Sequence, residues 1–560
     1  MIKKDRDSRA VTFLLYMTIF GFVITEVLLN LTPPISRDAL IHHLAIPKLW
    51  LLHGGFYEIP WADYSYYPMY INLLYLICLY LKNDIAPKFI HLAFGLSTGG
   101  LVYIYLKNKY DYNWGLLGVV IFITTPIVIW LSTSAYIDLG MTFFVTASAL
   151  AFIKWRDSEY NLFKWLCISA FCMGVAIGSK YNALIAWFFI NLILMYSYAR
   201  DTKRQMIALK YGLIFFAISA VVASPWYLKN YFLTQNPFYP LFNSFFQSWH
   251  HQPIQEILHS CTIQQTSGVG FFRLREVMYG ETFWETLLTP FRMFFQGDDY
   301  SYRYFQGVLN PLLIVFTPFL FLDKSNRRDK SFFGFFSAFF IAIAFFTTAK
   351  QVRYIVPVLP FLTILAVMGI KNVDGRLKGM VWFSYSRYNN YIILVSRTIL
   401  FAGIGILLAC NLLYLNNRAI IIQPFNYIFK HESRDAFLRR NLEHFAAVEY
   451  INNHLPKDAK IFTMFLGRRG YYLERDYKND PSFGRSTLSG MITSSKTKEH
   501  FTEYTRSLGA THIFMRSALV DKYLYDNFSQ QEIVRFMTLI RKLWKPVYDY
   551  NGYAVWDIRT

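Results

Sequence analysis

The chain has 560 residues, of which 54% are apolar, 19% aromatic and only 16% charged. A soluble globular domain carries about 25% charged residues, whereas here apolar blocks of about 17 to 22 residues, the length of bilayer-spanning helices, alternate with short basic loops. The composition excludes an ordinary soluble enzyme and predicts an all-α polytopic membrane domain. The net charge of +20 is explained by Lys and Arg in cytoplasmic loops, so no nucleic-acid partner is expected.

In chain order, hydropathy predicts about eleven transmembrane helices. The first follows a short basic N-terminus, Met1 to Arg9, which we place in the cytoplasm. The predicted spans are 10–31, 86–106, 114–132, 138–154, 163–179, 182–199, 208–224, 307–322, 332–348, 354–370 and 398–415.

The apolar run 69–81 is ambiguous, because about 13 helical residues reach only about 20 Å of a core about 30 Å thick. If it does not cross, the basic loops at 107–109, 154–164, 200–204, 324–330 and 371–378 share the side of the N-terminus. We therefore predict an interfacial or partly re-entrant helix, with outer loops over 32–85 and 225–306. Residues 1–425 would form the membrane domain of a multi-pass protein.

Residues 430–560 change character and predict a small α/β domain on the outer, periplasmic side. Helix-like segments at 436–455, 497–508 and 529–543 alternate with strand-like segments that begin at Ala459 and Thr511. Asn551-Gly552 lies between alternating apolar residues, which is a strong hairpin signal.

Two carboxylates lie at predicted outer ends of spans. Asp38 follows the first span and the Pro33-Pro34 pair, and Asp138 begins another span on the same face. At this depth they are placed to act as acid or base on a lipid-borne substrate. The alternative for Asp38, or for Ser36 beside it, is a helix cap, and for Asp138 simply a helix start.

Lys180 and Arg353 also lie at outer span ends. They are placed to hold an anionic headgroup, although a lysine there can also reach the interface by snorkelling. Glu26, inside the first span, either pairs with one of these cations or reaches the interface. His42 and His43 follow Asp38 closely, but spacing fixes no third metal ligand. The segment 224–246, with Asn236 and Tyr239, suits an interfacial belt as well as sugar stacking.

At these residues the chain resembles the GT-C membrane glycosyltransferases, specifically the glycosyltransferase family 39 group of protein O-mannosyltransferases and lipid A aminoarabinose transferases. The matching segments are DALIHHLAIPKLWLL at 38–52, YSYYPMYINLLYL at 64–76, AYIDLGMTFF at 135–144, GVAIGSKYNAL at 174–184, SPWYLKNYFLTQNPFYP at 224–240 and QVRYIVPVLP at 351–360.

The resemblance implies a polyprenyl-phosphate sugar donor, an active site on the outer face and a catalytic role for Asp38, with Asp138 as the second acidic residue. It implies that Lys180 and Arg353 lie near the donor. We add His43, Tyr67, Asn236 and Tyr239 as candidate substrate-binding residues. The chain departs from the family where Asp38 has no acidic neighbour and where Tyr66 and Tyr67 replace a Glu-Lys pair, so a metal site is not carried across.

The expected function is a bacterial inner-membrane glycosyltransferase that moves one sugar from a polyprenyl-phosphate carrier to a lipid, glycan or protein acceptor. Asp38 would act as general base, while Lys180 and Arg353 would stabilise the departing lipid phosphate. One alternative is a glycan ligase or polymerase that uses a diphosphate-linked oligosaccharide. The other is a lipid-linked-sugar flippase or transporter, which should carry polar residues through the membrane midplane.

Overall fold

Helices dominate the first 430 residues of the chain. The computed structural model describes residues 2–249, 271–347, 349–382, 387–482 and 484–559. In chain order the helices of this region are α1 (Ile2–Asn30), α2 (Ala45–His53), α3 (Tyr70–Tyr80), α4 (Ala86–Lys109), α5 (Tyr112–Ile123), α6 (Pro126–Ser132), α7 (Asp138–Asp157), α8 (Phe163–Ile177), α9 (Ala183–Thr202), α10 (Gln205–Thr234), α11 (Asn243–Trp249), α12 (Phe271–Tyr279), α13 (Phe283–Leu287), α14 (Thr289–Arg292), α15 (Leu312–Val315), α16 (Arg327–Thr347), α17 (Leu359–Trp382), α18 (Arg387–Ile422) and α19 (Pro424–Ile428). Short π- or 3₁₀-helical turns cover Ala39–His43, Asp63–Tyr66, Thr317–Leu322 and Val352–Val358.

Seven helices in the described ranges are long and apolar enough to cross a membrane, or eight if the bent pair α5 and α6 is one span. Helical structure covers each of the eleven predicted spans at least in part, but the pieces over 307–322 are short. The number of spans therefore stays a prediction. The run 69–81 forms α3, a helix of 11 residues, and whether it crosses stays a prediction too.

Burial separates central helices from peripheral ones. The apolar segment that includes α17 is largely enclosed by neighbouring helices, whereas α1 and α18 leave most of their apolar surface uncovered. Exposed apolar helix faces of this kind are stable against lipid chains and unfavourable in water. The arrangement thus agrees with a membrane domain in which α17 is central and α1 and α18 face lipid.

Two predicted spans differ from the helices that cover them, and each difference lies at a proline. The pair α5 and α6 bends by 71° at the break before Pro126, and the Asn411 amide fills this break by donating to Thr124 Oγ1 at 3.0 Å. By contrast, α10 continues through Pro225 to Thr234, so the helix extends beyond the predicted end of this span at 224. A membrane helix tolerates such a proline when neighbouring groups satisfy the backbone carbonyl that the proline leaves without a donor.

The C-terminal part is the predicted small α/β domain, and its sheet has five strands, one more than the sequence predicts. Its helices are α20 (Arg434–Asn441), α21 (Phe445–His454), α22 (Arg485–Ser494), α23 (Lys498–Ser507), α24 (Ser517–Asn527) and α25 (Gln530–Leu543). Its strands are β1 (Lys460–Met464), β2 (Asp476–Asn479), β3 (His512–Arg516), β4 (Lys545–Tyr550) and β5 (Tyr553–Asp557), in the order β2-β1-β3-β5-β4. Strand β1 is parallel to β2 and β3, while β4 and β5 form the predicted hairpin around Asn551-Gly552.

Candidate active site

The first predicted acid is held in an ion pair. Asp38 follows α1 and forms a charge-assisted hydrogen bond with Arg353, which also donates from Nε to Gln351 at 2.7 Å. The Asp38 backbone N–H donates to the Tyr136 hydroxyl at 3.2 Å. The Asp38 side chain caps no helix, and Ser36 instead donates to Ser134 at 2.8 Å. The capping interpretation of these two residues is therefore wrong.

The charges around Asp38 decide its protonation. Burial acts to raise the pKa of the Asp38 carboxyl, but the positive charge of Arg353, aided by Arg37, lowers that pKa to about 2. At neutral pH the group is ionised, yet a carboxylate with so low a pKa is a weak base. An anion that paired with Arg353 in place of Asp38 would raise the pKa of Asp38 and make it a stronger base.

The second predicted acid forms a parallel pair with the predicted lysine. Asp138 begins α7 and is fully buried, and its Oδ1 lies 2.5 Å from Lys180 Nζ in the turn between α8 and α9. Snorkelling does not describe Lys180, because its ammonium points to a buried carboxylate and the side chain is only 14% exposed. The other oxygen, Asp138 Oδ2, is buried without a hydrogen-bond partner. A buried carboxylate oxygen of this kind is costly unless a ligand or water satisfies it.

One tyrosine joins the two pairs. The Tyr354 ring centre lies 5.4 Å from Lys180 Nζ and 5.3 Å from the Arg353 guanidinium carbon, so both cations contact its π-face. We call Asp38, Arg353, Asp138, Lys180 and Tyr354 the charge cluster. The structure thus brings together all four ionisable residues that the sequence placed at outer span ends.

His42 borders the charge cluster and feels the field of all four of its charges. Its ring stacks on Tyr64 with centres 4.4 Å apart, and its Nδ1 is buried without a partner. Burial lowers the pKa of His42 to about 4, so the ring is neutral at physiological pH. A neutral imidazole can donate or accept one further hydrogen bond to a bound substrate.

The segment before Asp138 is fixed by a histidine that the sequence analysis did not identify. His91, on α4, is fully buried, and its Nε2 accepts from the Leu139 N–H at 2.9 Å. Its Nδ1 therefore carries the proton and donates to the carbonyls of Leu131, at 2.7 Å, and Ser134, at 2.9 Å. His91 thereby ties the end of α6 to the start of α7.

The other predicted binding residues lie at different distances from the charge cluster. His43 packs against Tyr136, and its Nδ1 accepts from Asn72 at 3.2 Å. The Tyr67 ring contacts the rings of Tyr64 and Tyr181, so both residues border the site.

Asn236 and Tyr239 belong to the loop after α10, and Tyr239 is in contact with Tyr181. The Tyr181 hydroxyl donates to the Tyr239 carbonyl at 2.8 Å. The Asn236 amide is used within its own loop, donating to Leu241 O at 2.8 Å and accepting from Phe238 N–H at 2.9 Å. In this structure Asn236 shapes a turn and presents no unused amide group to the charge cluster.

The structure agrees with neither of the two expectations for Glu26. Glu26 is buried and accepts from the Ser132 hydroxyl at 2.5 Å, so it neither pairs with an outer cation nor reaches the interface. In the ranges the structure describes, three or more His, Cys, Asp or Glu side chains nowhere gather as metal ligands would.

Known proteins resemble this chain both in sequence and in fold. The family model described as dolichyl-phosphate-mannose-protein mannosyltransferase matches residues 70–246. The structure of ArnT from Cupriavidus metallidurans in the apo state superposes with a TM-score of 0.55 at 13% identity, over 98% of each chain. The chain has the GT-C fold.

Two further GT-C structures agree with this assignment and confirm the predicted resemblance. ArnT from Cupriavidus metallidurans bound to undecaprenyl phosphate gives a TM-score of 0.51 at 13% identity, over 98% of each chain. The archaeal oligosaccharyltransferase of Archaeoglobus fulgidus in the apo form gives 0.51 at 11% identity, over 97% of this chain and 75% of its own. No curated protein sequence matches the chain.

Proposed function

We propose that this GT-C protein transfers one sugar from a polyprenyl-phosphate carrier to a lipid, glycan or protein acceptor on the periplasmic face of a bacterial inner membrane. The observation that carries the proposal is the charge cluster, in which two cations are paired with two carboxylates beside unsatisfied buried groups. ArnT from Cupriavidus metallidurans binds undecaprenyl phosphate, which supports a carrier of the same class here.

The donor phosphate would compete with the carboxylates for the two cations. Phosphate oxygens accept charge-assisted hydrogen bonds from Arg and Lys at least as well as carboxylates do. Once the phosphate engages Arg353, the electrostatic cause of the low pKa of Asp38 weakens. Donor binding would then convert Asp38 from a paired anion into a base of useful strength.

The proposed transfer step uses these four side chains as follows. The acceptor oxygen or nitrogen forms a bond to the anomeric carbon of the sugar while its proton passes to Asp38. The bond between the anomeric carbon and the phosphate oxygen breaks, and its electron pair leaves with the polyprenyl phosphate. Lys180 and Arg353 stabilise the negative charge that develops on this leaving group. The unpaired Asp138 Oδ2 and His42 Nδ1 would hydrogen-bond sugar hydroxyls.

A genetic experiment with mass spectrometry tests the proposal. Lipids and envelope glycans of a deletion strain are compared after complementation with the wild type, Asp38→Asn, or the control Asp526→Asn, which changes an exposed carboxylate of α24. The wild type and the control should restore a product that is one sugar heavier, and Asp38→Asn should not. Identical profiles for the deletion strain and the complemented strains would contradict the proposal.

A further inference from the structure

The C-terminal domain docks onto the first interhelical loop through the segment after β1. Tyr472 donates its hydroxyl to the Pro34 carbonyl at 2.7 Å, and Lys48 Nζ donates to the Tyr471 carbonyl at 2.7 Å. Arg468 forms an ion pair with Asp63 at 3.2 Å. The segment that begins after β1 therefore lies directly on the loop that carries Asp38.

The same segment marks the carboxyl edge of the parallel strands. Strands β1 and β3 are parallel neighbours. The segment after β1 therefore lies beside Arg516, the last residue of β3, at the carboxyl ends of the two strands, which we call the carboxyl edge of the sheet. In sheets with parallel strands, ligands bind in the crevice outside the carboxyl ends. Here the segment after β1 contacts the loop that carries Asp38, so a ligand bound at the carboxyl edge would lie between the two domains.

Three arginines belong to the segments that meet at this junction. Arg469 lies between the docked residues Arg468 and Tyr472, and its Nε is buried without a hydrogen-bond partner. Arg516 stacks over the Tyr553 ring at 5.6 Å and approaches Glu443 at 3.3 Å.

Arg37 comes from the membrane domain, directly before Asp38. It is exposed and contacts the Tyr302 hydroxyl at 3.5 Å. Burial is the main cause that lowers the pKa of the Arg469 guanidinium, and the positive charge of Arg37 lowers this pKa further. Arg37 follows Pro34 by three residues and Arg469 precedes Tyr472 by three, so the hydrogen bond between Tyr472 and Pro34 brings together the two segments that carry these arginines.

The three arginines carry more charge than their surroundings balance. In the parts of the chain that the structure describes, Glu443 is the one carboxylate at ion-pair distance from any of them, and its side chain is 70% exposed. Asp38, next to Arg37, is already paired with Arg353. Cations held together near a domain interface without matching anions repel each other, and a bound anion would remove that cost.

We propose that Arg37, Arg469 and Arg516 form a subsite for a phosphate-class oxyanion carried by the acceptor. The proposal rests on the proposed function, because it places the acceptor beside Asp38 while the donor phosphate engages Lys180 and Arg353. Guanidinium groups bind such oxyanions through paired N–H donors in a planar fork. The acceptor would thus be recognised by both domains at once, and its nucleophile would be held near the base.

The test uses the full chain in an uncharged detergent, first loaded with undecaprenyl phosphate and then titrated calorimetrically with inorganic phosphate. Arg469→Gln and Arg516→Gln should each weaken phosphate binding about tenfold or more, since each removes a charge-assisted contact. Arg37→Gln changes an exposed side chain and should weaken binding without an effect on folding. The control Arg541→Gln changes an exposed arginine at the end of α25 and should bind phosphate as the wild type does.

The outcomes separate the two proposals. Wild-type phosphate affinity in Arg37→Gln and Arg469→Gln would overturn the acceptor subsite, as would the absence of phosphate binding by the wild type. Failure of the wild type to bind undecaprenyl phosphate would instead count against the proposed function, and phosphate binding would still be measured on the unloaded chain. Nanodiscs with phosphatidic acid and a soluble sugar phosphate serve as competitors, and the stronger one identifies a lipid-borne or a soluble acceptor.

Discussion

The ion pair between Asp38 and Arg353 allows a quantitative prediction for Asp38→Asn. Each pH unit by which a pKa falls on folding stabilises the ionised folded state by about 1.4 kcal/mol. The pKa of Asp38 falls from an ordinary 3.8 to about 2, so ionised Asp38 stabilises the fold by about 2 kcal/mol at neutral pH. Both side chains are largely enclosed, at 17% and 15% exposure, so solvent screens this contribution little.

The sign of the pH dependence follows from the lowered pKa. Asp38 stabilises the folded protein at every pH above its ordinary value near 4, and this contribution disappears as the pH falls toward 2. Thermal unfolding of the wild type and Asp38→Asn in detergent should therefore differ by a constant amount from pH 7 to about 4 and converge below it. Turnover of the variant should fall about 100-fold at neutral pH, the usual contribution of a general base.

Two comparisons keep this reasoning open to refutation. The double variant Asp38→Asn/Arg353→Gln should be less destabilised than the sum of its single variants. Each single variant leaves one charge of the pair without its partner, whereas the double variant removes both charges. Asp526→Asn, which alters an exposed carboxylate, should change stability by less than about 0.5 kcal/mol. A stability difference between wild type and Asp38→Asn that stays the same down to pH 2, or full sugar transfer by this variant, would refute the assigned role.

Three further measurements test the site and its orientation. Lys180→Met should destabilise the protein by about 3 to 5 kcal/mol, because it leaves buried Asp138 unpaired, and Asp138→Asn should largely restore melting in the double variant; equal melting of Lys180→Met and wild type would contradict this. His91→Ala should lower both the melting temperature and turnover, since it removes the acceptor of the buried Leu139 N–H and the imidazole donor shared by the carbonyls of Leu131 and Ser134, and normal turnover would show that this tie does not position Asp138. Reporter fusions after 110 and 202 should report cytoplasm and those after 60 and 480 the outside, whereas an outside signal at 110 would mean that 69–81 crosses.

The sequence predicted which charged residues share the site but not how they pair. Asp38, Asp138, Lys180 and Arg353 stood out because ionisable residues are rare near apolar spans. Their partners could not be predicted, because Asp38 and Arg353 are 315 residues apart and nothing local fixes which cation meets which carboxylate.

The aromatic and histidine positions show a different limit. Tyr354 and Tyr136 are two of 41 tyrosines, so their residue type carried no distinguishing signal, although the position of Tyr354 next to Arg353 was a clue. His91 lies on an apolar helix and is recognisable only once α6 and α7 are seen to meet there.

In the C-terminal domain, strands with strong apolar patterns were predicted and a polar edge strand was not. Residues from Ala459 and Thr511 and the Asn551-Gly552 hairpin correspond to β1, β3, β4 and β5. Strand β2, Asp476–Asn479, has a single apolar residue and pairs only with β1. Its backbone pairing, and not its side-chain pattern, makes it a strand.

The docking of the C-terminal segment on the first loop has a consequence for biosynthesis. Pro34 and Lys48 emerge early from the ribosome, yet their partners Tyr472 and Tyr471 follow 438 and 423 residues later. During nearly all of translation, the loop that bears Asp38 lacks the contacts that the C-terminal segment later makes with it. A nascent or truncated chain therefore lacks these contacts, and under the proposed function sugar transfer would begin only after the last strands have folded.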